Sequence, residues 1–350
     1  MFAHVVNIFP IPTVGEFMNR KIIIISLLAL IVFPQLEATS TLAQDKIKVT
    51  ATIWALASIA REIGGDRVDV IAIVPMDSDP HQYSPKPSDI ELVRSCDLFI
   101  CIGKEEFINM LGEGGRIRLE WNDWINAGLE VKNENPHYVW LYPPNVKIVA
   151  EVIAKALATI DPINMEYYIG RAAEFKRRID DLNNWAREII YEMNVNSNNI
   201  VLAASHFEPL IEYLKLPIID VLIRGEEKAV GPIDIVRVEE SLRKFNVKLI
   251  VTSIVERDGD EGRLAAQLSE DTGIPIVYLY PSPRSSSDNY IEFIKYNTAI
   301  ITGALTASLS SKAEASREET NIKSLYLTLS TALLAIAVII LIMMLQRASR

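Results

Sequence analysis

Cysteine and histidine are scarce in this chain, and their scarcity narrows the chemistry before any pattern is read. The 350 residues contain two cysteines and four histidines. Cys96 and Cys101 lie in one segment, Ser-Cys-Asp-Leu-Phe-Ile-Cys, with a spacing that excludes a CxxC metal motif. They read as two buried thiols beside and inside an apolar strand, because neighbours in one local segment seldom reach disulfide geometry. No HExxH pattern, glycine-rich phosphate loop or GxSxG elbow occurs, so the usual marks of zinc proteases, P-loop ATPases and α/β-hydrolases are missing. Positive charge is also in short supply: 35 Lys and Arg against 45 Asp and Glu give a formal net charge of -10. A surface of that sign repels phosphates and favours cations, which argues against nucleic acid as a partner.

The two ends carry uncharged apolar runs that stand apart from the fold. Met18-Asn19-Arg20-Lys21 supplies a positive stretch ahead of the run from Ile22 to Phe33, and Thr41-Leu42-Ala43 offers small residues for cleavage before Gln44. Residues 1–43 are therefore expected to be a signal peptide with an N-terminal extension, Met18 being a candidate start. No cysteine follows the run, so a lipid-bearing N-terminus is not expected. Residues 325–345 contain no charge, and Arg347 and Arg350 follow. Such a length and flank predict a transmembrane helix with its arginines on the cytoplasmic side. Residues 306–324, rich in Ser, Ala, Glu and Lys, read as a tether. The expected localisation is the extracellular face of the cell membrane, with a single-pass C-terminal anchor.

The body between these ends alternates strand and helix patterns, which predicts an α/β fold with parallel sheets. Lys46–Thr52, Val68–Val74 and Leu98–Ile102 read as strands, and Trp54–Ile63 as a helix stopped by Gly64-Gly65. Ser88-Asp89-Ile90-Glu91 reads as a capping box opening a short helix. Apolar residues from Val146 to Ile160 fall on one helical face, and Asp161-Pro162 opens a helix running to about Met193. Its expected apolar face is Tyr168, Ala172, Phe175, Ile179, Leu182, Trp185 and Ile189, and its length suits an element that joins two halves. A second half follows, with strands at Ile200–Ala204, Leu249–Ile254 and Ile276–Leu279, and Asp288 capping a last helix. The expected division is a 44–160 lobe, a 161–195 linking helix and a 196–305 lobe.

One histidine, His4, lies in the N-terminal extension; the other three are His81, His137 and His206. His81, in Asp-Pro-His-Gln-Tyr, sits in the loop after a strand. His137, in Asn-Pro-His-Tyr-Val-Trp, precedes a helix. His206, in Ala-Ser-His-Phe-Glu, lies where a strand gives way to a helix. Ligands of open parallel sheets bind at the carboxyl ends of strands. Three imidazoles from both sides of the joining helix would make a site for Zn, Mn, Fe, Ni or Cu between the halves.

In these motifs the chain resembles the metal-binding receptor subunits of zinc- and manganese-type ABC importers. The likeness covers residues 46–305. It rests on Ile63-Gly64-Gly65-Asp66, Val74-Pro75, Asp79-Pro80-His81 with Pro85 to Asp89, Pro136-His137 with Val139-Trp140-Leu141, Ser205-His206 and the run from Lys248 to Tyr280. The resemblance implies two α/β lobes joined by one long helix, metal held between them by His81, His137 and His206, and delivery to an ABC permease served by a separate ATPase. It also implies an aspartate after the last strand as fourth ligand, where this chain has Tyr280 in Leu279-Tyr280-Pro281. A phenol ionises near pH 10 and is a poor substitute. Glu208, Glu256, Asp258, Asp288 or a water are the candidates for that place. No histidine falls between residues 104 and 135, where zinc-specific relatives often carry a His-rich loop.

Zinc is the first expectation for the cargo, with manganese or another divalent transition metal as the alternative. Two other readings compete with the receptor: an adhesin or structural lobe with weakened metal binding, suggested by Tyr280, and a zinc hydrolase using three histidines and a water. The hydrolase reading lacks a marked general base, and no enzymatic activity is expected.

Overall fold

The computed structural model of the chain describes residues 45–76, 78–224, 231–285, 287–308 and 323. The expected signal peptide over 1–43 and the 325–345 segment lie outside them. No helix among the described residues is long and apolar enough to cross a membrane. The expected C-terminal transmembrane helix thus has no counterpart among the described helices.

Among the described residues, eight strands form two four-stranded parallel sheets. In chain order the first half comprises β1 (Ile47–Ala51), α1 (Trp54–Gly64), β2 (Val68–Ala72), α2 (Pro87–Ser95), β3 (Leu98–Ile100), β4 (Ile117–Leu119), α3 (Trp121–Asn126), the short α4 (Tyr138–Leu141) and α5 (Pro143–Ile160). The long α6 (Met165–Glu192) follows, and then β5 (Ile200–Ala204), α7 (Glu208–Tyr213), β6 (Ile218–Ile223), α8 (Pro232–Lys244), β7 (Leu249–Ser253), α9 (Asp260–Thr272), β8 (Ile276–Leu279) and α10 over 290–308. The sheet orders, β2-β1-β3-β4 and β6-β5-β7-β8, repeat one topology. Both orders reverse direction at the first strand, which leaves a crevice at its carboxyl end.

The second sheet shows why its strands read as unbroken apolar runs. Side chains alternate between faces along a strand. Ile200, Leu202, Leu249 and Val251 join the main core, while Val201, Ala203 and Ile250 join a second core under α8 and α9 with Val238, Leu242 and Leu268. Both faces are covered, as parallel sheets require.

Helix α6 buries Tyr168, Ala172, Phe175, Ile179, Leu182, Ala186 and Ile190. Trp185 and Ile189, also expected on this face, are half-buried and pack against the same core beside Ala186 and Ile190. Where α1 ends, Gly65 has φ +54, and a Cβ there would strike the Tyr167 hydroxyl of α6. Only glycine combines that conformation with so close an approach.

Two helix starts differ from the sequence reading. Pro87 opens α2, and the Asp89 carboxylate accepts from the Lys86 N–H at 2.7 Å, so the reciprocal cap comes from Asp89 rather than from a Ser88–Glu91 box. Helix α10 is capped by Asn289, whose Oδ1 accepts from Glu292 N–H at 3.0 Å. Asp288 instead pairs with Arg284 and Ser285. Cys96 and Cys101 are free and buried.

Candidate metal centre

Each of the three histidines stands on a short turn fixed by a local polar contact. His81 is the middle residue of a 3₁₀ turn, Pro80–Gln82, beyond β2; the Asp79 carboxylate accepts from His81 N–H at 2.9 Å and holds the turn. His137 precedes α4 and is 5% exposed. His206 lies in the turn Ser205–Phe207, between β5 and α7. The His81 and His206 rings stack with centroids 5.2 Å apart, and the His137 ring lies 5.9 and 4.7 Å from them. One ligand atom from each of the three lies within 4.8 Å of the others, and among the described residues no carboxylate joins this group.

The Nδ1 atom of His137 faces Asn135 Oδ1 at 2.9 Å, and that of His206 faces Glu261 Oε2 at 3.5 Å. With Nδ1 engaged outward in both, Nε2 is the nitrogen left for a metal. Burial, followed by the neighbouring histidines, holds His137 well below its ordinary pKa. Burial and then His81 bring His206 down to about 4, against the opposing pull of Asp79. Both rings are therefore neutral at pH 7, the form that ligates.

The surrounding pocket is lined on one side by Trp54, Asp79, Glu105 and Trp140, and on the other by Ser253, Glu256 and Ser282. Glu105 is spoken for: its oxygens accept from Thr52 Oγ1 at 2.6 Å and from the N–H groups of Ile102 and Gly103 at 2.8 and 2.7 Å. Glu256 is raised to about 8 by burial and by its hydrogen bond with Asp79. The hydroxyls of Ser253 and Ser282 are buried and have no hydrogen-bond partner among the described residues.

Of the four candidate carboxylates, only Glu256 lines this pocket. Glu208 lines a separate hollow behind Asn135. Asp258 is exposed, and Asp288 is engaged with Arg284 and Ser285. Tyr280 is also outside: its backbone exchanges hydrogen bonds with the Asn297 side chain at 3.0 and 2.8 Å, and its ring packs edge-on against Tyr296. Asn135, Glu261 and the two serines were not singled out from the sequence. Asn135 alone carried a signal, as an Asx residue two places before a histidine.

The chain matches the family described as "Zinc-uptake complex component A periplasmic" over residues 49–304. It belongs to that family. It is thus a metal-binding substrate-binding protein of an ABC importer and not an enzyme, and that role implies a permease and an ATPase as partners. Among curated relatives, the manganese ABC transporter substrate-binding lipoprotein PsaA of Streptococcus anginosus is 28% identical over 298 residues, covering 79% of this chain and 94% of its own. A metal ABC transporter substrate-binding lipoprotein of Lactococcus lactis is 26% identical over 285 residues, 75% of this chain and 88% of its own. Among solved structures, a ZnuA crystal structure aligns with TM-score 0.62 at 21% identity, covering 75% of this chain and 100% of that one. The Pseudomonas aeruginosa protein FpvC, solved with Ni²⁺, aligns with TM-score 0.63 at 19% identity, covering 75% and 98%.

These relatives also correct the expected localisation. They are named lipoproteins, which are held at a membrane by acyl chains, each buried CH₂ contributing about 0.8 kcal/mol. A membrane-crossing C-terminal helix has no counterpart in that arrangement.

Proposed function

We propose that His81, His137 and His206 are the metal ligands, that zinc is the preferred cargo, and that a water fills the fourth place. The observation that carries this reading is the all-nitrogen group within 4.8 Å with no carboxylate in it. Three nitrogens around tetrahedral zinc lie about 3.4 Å apart at bond lengths of about 2.1 Å, so small inward ring movements complete the set. Imidazole suits zinc, whereas manganese favours oxygen donors and lies low in the Irving–Williams order. The name of the family supports zinc, while the streptococcal relatives are named for manganese. The nitrogen donors of this chain support zinc. Ser253 and Ser282, with hydroxyls free to bond, are suited to hold the fourth-position water. The domain division follows the same logic, with the 44–160 and 196–305 segments each supplying one wall of the site.

The test is competition dialysis of the purified full chain against equal micromolar Zn²⁺ and Mn²⁺, followed by elemental analysis. One zinc per chain is expected, lost in the His206→Ala variant. Manganese in excess, or zinc retained by that variant, overturns the reading.

A further inference from the structure

Asn135 makes contacts on both sides of the cleft with the two ends of one amide. Its Oδ1 accepts from the His137 backbone N–H at 3.0 Å and lies 2.9 Å from His137 Nδ1. Its Nδ2 donates to the Ser205 carbonyl at 2.8 Å, 70 residues along the chain and one residue before His206. The Glu208 carboxylate also takes a hydrogen bond from the Asn135 side chain. Asn135 is 7% exposed, so water does not compete freely for these bonds.

The surroundings fix which way the amide points. Turned over, its NH₂ would face the His137 backbone N–H, donor against donor, and its oxygen would face the Ser205 carbonyl and the Glu208 carboxylate. Only the observed orientation satisfies every group. An acceptor beside Nδ1 requires that nitrogen to carry the proton, which leaves Nε2 bare for a metal. A partner of this kind sets both the tautomer and the ring orientation of a metal-binding histidine.

We propose that Asn135 is the positioning residue of the metal site, its oxygen selecting the Nδ1–H tautomer of His137 and its NH₂ holding the His206 turn of the opposite lobe in register. The inference rests on the histidine site proposed above, but its first test needs no metal. Histidine labelled with ¹⁵N gives at most four ring systems in this chain, and long-range ¹H–¹⁵N correlation reports the tautomer of each. The metal-free full chain is expected to show His137 as Nδ1–H, and Asn135→Ala is expected to lose that signature. Zinc affinity should fall about 10- to 100-fold in Asn135→Ala, the range for lost outer partners. Asn135→Asp keeps an acceptor and loses the donor; it should preserve the Nδ1–H signature while still binding zinc more weakly. A wild-type His137 protonated on Nε2, or an unchanged tautomer in Asn135→Ala, overturns the proposal. Asn135→Asp binding as tightly as wild type removes the link between lobes. If zinc does not bind these histidines at all, the tautomer still reports on Asn135, so the two failures are separable.

Discussion

The Glu261 carboxylate sits 3.5 Å from Nδ1 of His206 with one oxygen, while the other accepts from the Thr252 hydroxyl at 2.7 Å. Burial raises the Glu261 pKa, and the hydrogen bonds from Thr252 and the Ser253 N–H counter it. A carboxylate in this place orients the ring and strengthens the imidazole as a donor. Glu261→Gln preserves the shape and removes the charge, so zinc affinity should drop by about tenfold, or about 1.4 kcal/mol. Calorimetric titration of the full chain checks this; unchanged affinity would show that the pair is only structural.

Acid should destabilise the metal-free protein earlier than carboxylate titration would. His206 has a folded pKa of about 4 against about 6.5 in an unfolded chain, and His137 is lowered in the same direction. At these two rings the unfolded state therefore binds more protons between these values, and their contribution to stability falls as pH drops below 6.5, while Glu256, raised to about 8, contributes with the opposite sign. His206 alone accounts for roughly 3 kcal/mol by pH 4. Urea midpoints of a Glu256→Gln variant, which lacks the opposing proton uptake of that raised carboxyl, should decline from pH 7.5 through 6 to 5; midpoints flat over that range would refute the buried neutral rings. Protonation of His137 and His206 should weaken zinc binding over the same lower range.

The fourth metal position separates two groups of variants. Ser253→Ala and Ser282→Ala should each weaken zinc binding by about three- to tenfold, since a metal-bound water would lose one hydrogen bond of about 1 kcal/mol. Glu256→Gln should change little at pH 7, because a carboxyl raised to about 8 is mostly protonated there. Tyr280→Asp should not tighten binding, as that side chain packs on Tyr296 away from the pocket. Tighter binding by Tyr280→Asp in zinc titration would mean that the loop after β8 can turn inward.

Glu212 ties the lobes beside the site, accepting from Tyr138 Oη at 2.6 Å and Lys132 Nζ at 2.9 Å. The Tyr138 bond is sheltered, whereas the Lys132 side chain is half exposed. Tyr138→Phe should lower stability by about 1 kcal/mol and Lys132→Ala by less than about 0.5 kcal/mol. Guanidinium unfolding curves decide between them; an equal or reversed order would mean that solvent reaches both alike.

The interior strands were legible in the sequence, as were three histidines that the fold brings within 4.8 Å of one another, and the reasons are visible. Strands β3, β5 and β7 are covered on two faces and read as dense apolar runs, whereas β1 alternates around the exposed Lys48. The two strands it did not reveal, β4 and β6, are both sheet edges. In β4, Arg118 breaks a three-residue run. In β6, Asp220 interrupts six residues but is held by Arg224 at 2.8 Å, by Ser241 at 2.9 Å and by Arg237. A charge inside a strand reads as a loop until its partners on a later helix are known. Glu261 was hidden for a similar reason. An acid in the first turn of a helix looks like a partner for the helix dipole, and nothing local says that it faces a histidine 55 positions back. The resemblance to a family directed attention to Tyr280, and the fold turns that residue aside. The groups proposed to hold the fourth-position water cannot be read from neighbours in the chain, because Ser253 ends β7 and Ser282 follows β8.

One hydrophobic core runs without a break from Val49 and Phe99 in the first sheet, through Phe175 and Leu182 of α6, to Leu202 and Val251 in the second. The halves that look like separate domains are therefore thermally one object. Heating the metal-free chain should melt both together in a single calorimetric peak, and neither half expressed alone would retain its share of buried surface. Loading the cleft then acts on the whole molecule at once: a cargo held between the lobes raises the melting point of strands far from any ligand.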